Sequence, residues 1–193
     1  MSSTLRGYDR HKSDYYVTPI PDILEFLREL EKHEPQVFKD GYILDPCAGG
    51  DENNPMSYPE ALIEHGINPE RIITLDIRDD SLAEYKGDYL EMPTGDFTTI
   101  ITNPPFNIAE DIIKKALNDV KEGGYVIMLL RLNFFGGKQR LQKFWGEVGL
   151  PKYSFVHHRR MSFTSDGKTD SIEYQHAVWK KGYKPEFTQL KVI

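Results

Sequence analysis

The stretch "TTIITNPPFN", residues 98–107, decides how the rest of the chain is read. Thr98 to Thr102 is a run rich in β-branched side chains, with the character of a buried strand. Pro104 and Pro105 lack a backbone N–H, so sheet pairing must end there with φ held near about −65°. A strand that stops at a stiff corner carrying Asn103 and Phe106 presents those residues at a fixed edge.

Working outward, short apolar runs recur on both sides: "GYILD" (41–45), "RIITLD" (71–76), "GYVIMLL" (124–130), "YSFVH" (153–157) and "IEYQHAVW" (172–179). Between them lie helical patterns. Ile20, Ile23, Leu24, Leu27 and Leu30 follow helical spacing to about His33, with Thr18-Pro19 offering an N-cap and a first-turn proline. Ile108, Ile112, Ala116, Leu117 and Val120 share one face of a helix over 108–121, and weaker patterns occur near 57–66, 79–85 and 138–146. Strand-helix alternation of this kind predicts an α/β fold: a doubly wound, mostly parallel sheet of Rossmann-like type with helices on both faces. No helix separates the last two runs, so the C-terminal strand is expected to pair antiparallel at or near the edge.

The 193 residues suit one domain, 14–193, behind a mobile tail, 1–13, with no stretch set aside for separate target recognition. No apolar run approaches the ~18 residues of a membrane span, and the first residues lack the apolar segment of a signal peptide. The single cysteine, Cys47, excludes an internal disulfide and fits a reducing compartment, so a cytoplasmic location is expected. Net charge is −6, which argues against a protein that coats nucleic acid, but the charge is unevenly placed. Residues 1–150 carry 16 basic against 26 acidic side chains, whereas 131–160 hold seven basic residues against Glu147 alone. Arg131, Lys138, Arg159 and Arg160 within that window could grip a polyanion; an ordinary solvated face reads the same way.

In such sheets ligands lie outside the carboxyl ends of the strands, where strand order reverses. The loops to inspect follow Asp45, Asp76 and Thr102, with that around Asp88. "LDPCAGG" (44–50) leaves the first strand in a tight turn whose glycines allow close approach of a ligand to backbone. Asp51 and Glu52 follow, which disfavours a pyrophosphate and suits a ligand with positive charge. Asp76 ends the next strand, where a carboxylate can accept both ribose hydroxyls of a nucleoside. Asp88 stands near the third strand's end. Each acid taken singly also reads as a helix cap or turn residue.

"DPCAGG", a downstream acid, "GD" and then "NPPF", in that order, resemble the motifs of class I S-adenosylmethionine-dependent methyltransferases, in the branch that methylates the N6 amine of adenine in DNA. "DYYVTP" (14–19) is similar to that branch's N-terminal cofactor motif, and residues 159–183 to the closing segment of its small phage and prophage members. The acidic "DEN" after the glycines departs from the commoner small residues. The resemblance implies that Tyr16 and Thr18 hold the methionine end of S-adenosylmethionine. It places Asp45, Pro46, Cys47, Ala48 and Gly49 along the cofactor's centre, Asp76 at the ribose, and Asp88 with Tyr89 at the adenine. Asn103, Pro104, Pro105 and Phe106 become the catalytic corner, and Phe163 a second aromatic against the extruded base.

That assignment answers what the corner is for. The lone pair of an adenine N6 is delocalised into the ring; two acceptors on its N–H groups, the Asn103 oxygen and the Pro104 carbonyl, would turn it toward a methyl donor. Fixed prolines preorganise those acceptors, Phe106 offers a stacking face, and no metal is needed. RNA adenine, cytosine N4 or a protein side-chain amide presents a similar planar amine, and a cofactor-holding partner subunit or decoy against restriction would carry the same fold. A homodimer or partner subunit stays open, as does a role in restriction-modification. Among other signals, "SDGKT" (165–169) echoes a phosphate loop but has Ser162 in place of its first glycine. His157 and His158 read as a charged strand end, Cys47 as packing, and Trp145 and Trp179 as core.

Overall fold

In the computed structural model, which describes residues 17–163 and 172–193, eight strands build one sheet. They are β1 (Ile43–Asp45), β2 (Ile72–Asp76), β3 (Tyr85–Lys86), β4 (Phe97–Thr102), β5 (Val120–Arg131), β6 (Tyr153–Val156), β7 (Tyr174–Lys180) and β8 (Gln189–Val192), in the spatial order β3-β2-β1-β4-β5-β7-β6-β8. The first five pair in parallel, and β7 inserts antiparallel between β5 and β6. The expected doubly wound sheet with an antiparallel C-terminal strand is therefore present. That strand lies two places in from the edge, because β8, four exposed residues outside the apolar runs picked out above, adds in parallel beyond β6. Tyr16, the tail 1–13 and "SDGKT" lie outside the described residues.

Alternation along β5 shows how the two layers form. Ile127 and Leu129 face α1 (Ile20–His33) and α2 (Ser57–Glu64), whereas Val126, Met128 and Leu130 face α3 (Ala109–Asp119) and the Phe144–Trp145 corner. α1 buries Ile23, Leu24, Phe26, Leu27 and Leu30 at helical spacing. Its cap is Pro19, which makes no side-chain capping bond, so Thr18 is released from the expected capping role and is buried elsewhere. Val120 opens β5 instead of closing the α3 face. The pattern at 138–146 resolves into α4 (Lys138–Lys143) and α5 (Trp145–Val148), separated at Phe144. Among the described residues, no helix is long and apolar enough to cross a membrane.

The expected helix at 79–85 does not form. Tertiary partners take its backbone groups: Gly49 O accepts Leu82 N–H (3.0 Å), Thr74 Oγ1 accepts Glu84 N–H (2.8 Å), and Lys86 Nζ donates to the Ser81 and Ala83 carbonyls. These bonds satisfy the chain as helix bonds would, and they pin the segment onto the glycine turn. On the far side Glu34, at the end of α1, accepts from Tyr125 (2.6 Å), Tyr153 (3.1 Å), Lys152 and Lys180 (3.2 Å), tying α1 to β5, β6 and β7. Burial pushes the Glu34 carboxyl up, but the bonds from Lys152, Tyr125 and Lys180 outweigh it and hold it at about 2.

Candidate active site

The chain's order reverses between β1 and β4, so their carboxyl ends flank a crevice on the rim that also carries the ends of β2 and β5. Asp45 ends β1 fully buried; its Oδ1 accepts the Cys47 N–H (3.2 Å). Ala48 N–H reaches the Leu75 carbonyl (3.0 Å), and Gly49 N–H reaches Asp76 Oδ2 (2.7 Å). Gly49 and Gly50 both hold positive φ, 67° and 76°. A Cβ on Gly50 would stand 2.9 Å from Met56 Cγ and 3.0 Å from Leu82 Cβ, so the turn admits only glycine without displacing its wall. Asp76 Oδ1 accepts the Arg78 N–H (2.8 Å), so this one carboxylate locks the turns after β1 and β2 together. Each of its oxygens keeps a second lone pair for a ligand.

Two buried atoms at the crevice floor, Asp45 Oδ2 and Thr102 Oγ1, have no hydrogen-bond partner of good geometry among the described residues, although the Thr102 hydroxyl lies close enough to Asp45 to act on its carboxyl. Burial pushes the Asp45 carboxyl up to about 7; the Thr102 hydroxyl and the Cys47 N–H oppose this, and Asp76 adds to it. A buried carboxyl with an idle oxygen suits a ligand that brings positive charge or donors. The Cys47 thiol is likewise pushed well above its ordinary range by burial and by Asp45 and Asp76, so it is no thiolate nucleophile. Asp51, the first acid of the divergent "DEN", spends Oδ1 on the N–H groups of Asn53 (2.8 Å) and Asn54 (2.9 Å), closing its own turn.

The aromatic expectations divide. Asp88 is half-buried and caps a short turn through the Leu90 N–H (2.9 Å). Tyr89, expected beside it at the adenine, is turned into the core instead: it is 4% exposed and donates to Asp119 Oδ2 (2.8 Å) under α3. Ile77, 60% exposed next to Asp76, is the apolar surface actually offered on that rim, and no motif in the sequence singled it out.

At the other wall, β4 delivers Asn103 as expected, and Asn103 Nδ2 donates to Thr18 Oγ1 (3.1 Å). Thr18 is only 1% exposed, and its hydroxyl accepts from Asn103. Pro104 is buried, and the Pro105 carbonyl accepts the Ile108 N–H (3.1 Å) as the chain turns toward α3. The Arg131 guanidinium sits over the Phe106 ring at 4.7 Å from its centre. Tyr174 lies 5.9 Å from Phe106 and 4.8 Å from Phe163, so β7 joins the two aromatics named from sequence.

The basic window is less uniform than its composition. Arg140 is spent internally on Glu110, two carbonyls and the Phe134 ring, and Lys152 on Glu34. Lys138, Arg159 and Arg160 are exposed. His157 is not a charged strand end: it is 4% exposed, and burial holds it at about 4, below the ordinary histidine value. Its neighbour His158 is the exposed one. Trp145 and Trp179 are core residues as expected.

No family model matches the chain, and no curated protein sequence does. Solved structures do. A candidate class I S-adenosylmethionine-dependent methyltransferase from Listeria monocytogenes aligns over 92% of this chain and 65% of its own, with a TM-score of 0.62 at 15% identity. A candidate RNA methyltransferase, PH1948 from Pyrococcus horikoshii, aligns over 93% of both chains with a TM-score of 0.61 at 17% identity. The M protein of the type I restriction enzyme EcoKI aligns over 87% of this chain and 44% of its own, with a TM-score of 0.53 at 15% identity. The fold is that of the class I methyltransferases. This chain spans less than two thirds of the length of the Listeria and EcoKI proteins.

Proposed function

We propose that the chain transfers a methyl group from S-adenosylmethionine to the N6 amine of adenine in DNA, with the target base turned out of its stack. The observation that carries this reading is the pinned corner: Asn103, held through Nδ2 by buried Thr18, on a proline pair beside the Phe106 face. The crevice fits the cofactor by its donor demand. Asp45 Oδ2, with the Thr102 hydroxyl beside it, can accept from a ligand, Asp76 keeps lone pairs for ribose hydroxyls, and Gly49 and Gly50 hold the tight turn next to them. Asp45 to Gly49 would line its centre, Asp76 its ribose, and Ile77 with Asp88 its adenine. S-adenosylmethionine, when bound, supplies an electrophilic methyl group on a sulfonium sulfur.

The chain's own residues do the rest by positioning and electrostatics. With Nδ2 spent on Thr18, Asn103 Oδ1 accepts one N6–H, and the Pro104 carbonyl accepts the other. Both acceptors draw the nitrogen lone pair out of the ring and stabilise the positive charge that builds as the new N–C bond forms. One N6 proton then leaves to water, which restores a neutral amine. Phe106, in contact with Arg131 and Tyr174, gives the base its stacking surface, and Phe163 packs edge-on against Tyr174. Lys138, Arg159 and Arg160 contact flanking phosphates.

The EcoKI M protein, part of a restriction enzyme, supports a DNA acceptor. The near-complete mutual coverage with PH1948 favours RNA adenine as the second reading. The test supplies methyl-labelled S-adenosylmethionine with duplex DNA, single-stranded DNA and RNA in parallel, digests each product and identifies the labelled nucleoside. N6-methyladenine from DNA is expected; label only in RNA selects the second reading, and label on cytosine, on protein or nowhere overturns both.

A further inference from the structure

A line of buried polar groups runs from the catalytic corner into the sheet. Asn103 Nδ2 donates to Thr18 Oγ1 (3.1 Å), and the Thr18 hydroxyl lies close enough to the Tyr58 phenol to act on it. Tyr58 Oη lies 2.9 Å from His176 Nε2, and His176 Nδ1 lies 2.7 Å from His157 Nε2. Thr18, Tyr58, His157 and His176 are all buried, and the His176 ring is stacked on Phe26 with centres 4.0 Å apart, which fixes its orientation. The five groups come from five separate segments of the chain, before α1, in α2, and after or within β4, β6 and β7.

Asn103 presents Oδ1 to an incoming amine only if its Nδ2 faces Thr18, and that requires Thr18 to accept. A threonine hydroxyl has one proton; if Tyr58 accepts it, the Thr18 oxygen remains an acceptor toward Asn103. Tyr58 accepts that proton while sending its own to His176 Nε2, which must therefore carry no hydrogen. His176 then bears its proton on Nδ1 and donates it to His157 Nε2. Every donation runs one way, from Asn103 to His157, and each side chain along the line donates once and accepts once, His176 through its two different nitrogens, apart from the two ends. Were His176 to carry its proton on Nε2, Tyr58 would have to accept it, Thr18 would lose the acceptor for its own proton, and Asn103 could flip.

Given the methyl-transfer reading, on which this rests, we propose that the His157–His176 pair, acting through Tyr58 and Thr18, sets which end of the Asn103 carboxamide faces the substrate amine. The two histidines and Tyr58 are positioning residues; none touches the reacting atoms. Burial keeps both rings neutral at ordinary pH, which the one-way line requires.

The test begins with the unmodified protein. Nitrogen spectra of histidine-labelled chain should show His176 protonated on Nδ1 and bare on Nε2; a proton on Nε2 would overturn the proposal. Tyr58→Phe, which keeps the ring and removes the link, should move the Asn103 side-chain amide resonance and lower single-turnover methyl transfer by about tenfold at unchanged cofactor affinity. In an Asn103→Ala background the same change should have no further effect on transfer; an equal loss in both backgrounds would overturn the proposal. His176→Gln, whose carbonyl can replace Nε2 as acceptor, should retain more activity than His176→Leu, and equal loss from the two would count against the line. Expected spectra in a protein that methylates nothing would leave the line standing and remove only the reading of the reaction.

Discussion

Replacing Asn103 by alanine removes two hydrogen bonds of different kinds, and their costs fall on different measurements. The bond to Thr18 exists in the resting protein, 3.1 Å long between neutral groups, and its loss costs about 1 kcal/mol of folding stability. For a chain of 193 residues that corresponds to a fall of about 2–4 °C in Tm. The Oδ1 contact forms fully only as charge builds on the attacking nitrogen, so it resembles one member of a preorganised oxyanion hole with the sign reversed. Losing such a contact costs about 2.7–4 kcal/mol of transition-state stabilisation, or about 10²–10³ in kcat. On the proposed reading Asp45, the glycine turn and Asp76 hold the cofactor, so its Kd should stay within about twofold of the parent. Single-turnover transfer of labelled methyl to an adenine-containing duplex, calorimetric titration with S-adenosylhomocysteine, and a thermal melt read the three quantities. Turnover within threefold of the parent would refute the acceptor role, and a tenfold rise in cofactor Kd would make Asn103 a cofactor ligand instead.

The remaining expectations concern acid, the cofactor and salt. His157 is held at about 4 against an ordinary 6.5, so between those pH values the unfolded chain binds the extra proton and stability falls as pH drops; Glu34, held at about 2 against 4.5, continues the loss below 4.5. Asp45, held at about 7 against 3.8, contributes in the opposite sense and stabilises as pH falls. In urea titrations at pH 7.5, 5.5 and 4 the decline should therefore be steeper for Asp45→Asn than for the parent, and equal profiles would contradict the burial argument. Asp76→Ala unlocks the two turns and removes the ribose acceptor, so cofactor affinity should fall by about tenfold or more, read by titration calorimetry. Arg159→Ala should weaken binding to DNA of any sequence alike and flatten the dependence of log K on log salt by about one, read by anisotropy across salt concentrations.

The parallel core and the proline corner after β4 were legible in the sequence because backbone chemistry dictates them. Proline stops a strand wherever it falls, and adjacent glycines after a buried acid force a turn. Positions decided by side-chain direction were not legible. Tyr89 follows "GD" in the expected place, yet a tyrosine there reads alike whether it faces a ligand or, as here, Asp119 under the helix layer. His157 lies in "HHRR", which looks charged; one step of strand alternation buries it beside His176 and leaves His158 outside. The 79–85 segment has helical spacing, but its backbone donors are claimed by Gly49 and Thr74 from other strands, which no local pattern reports. Thr18, a hydroxyl preceding a proline, reads as a helix cap until Asn103 is seen against it.

The crystal structure of the chain with S-adenosylhomocysteine addresses the core of this account. The expected result has the ribose hydroxyls on Asp76, the amino acid end above Asp45, and the sulfur facing the Asn103–Pro104 corner. The thioether seated away from that corner, or a crevice that will not take it at saturating concentration, would contradict the account.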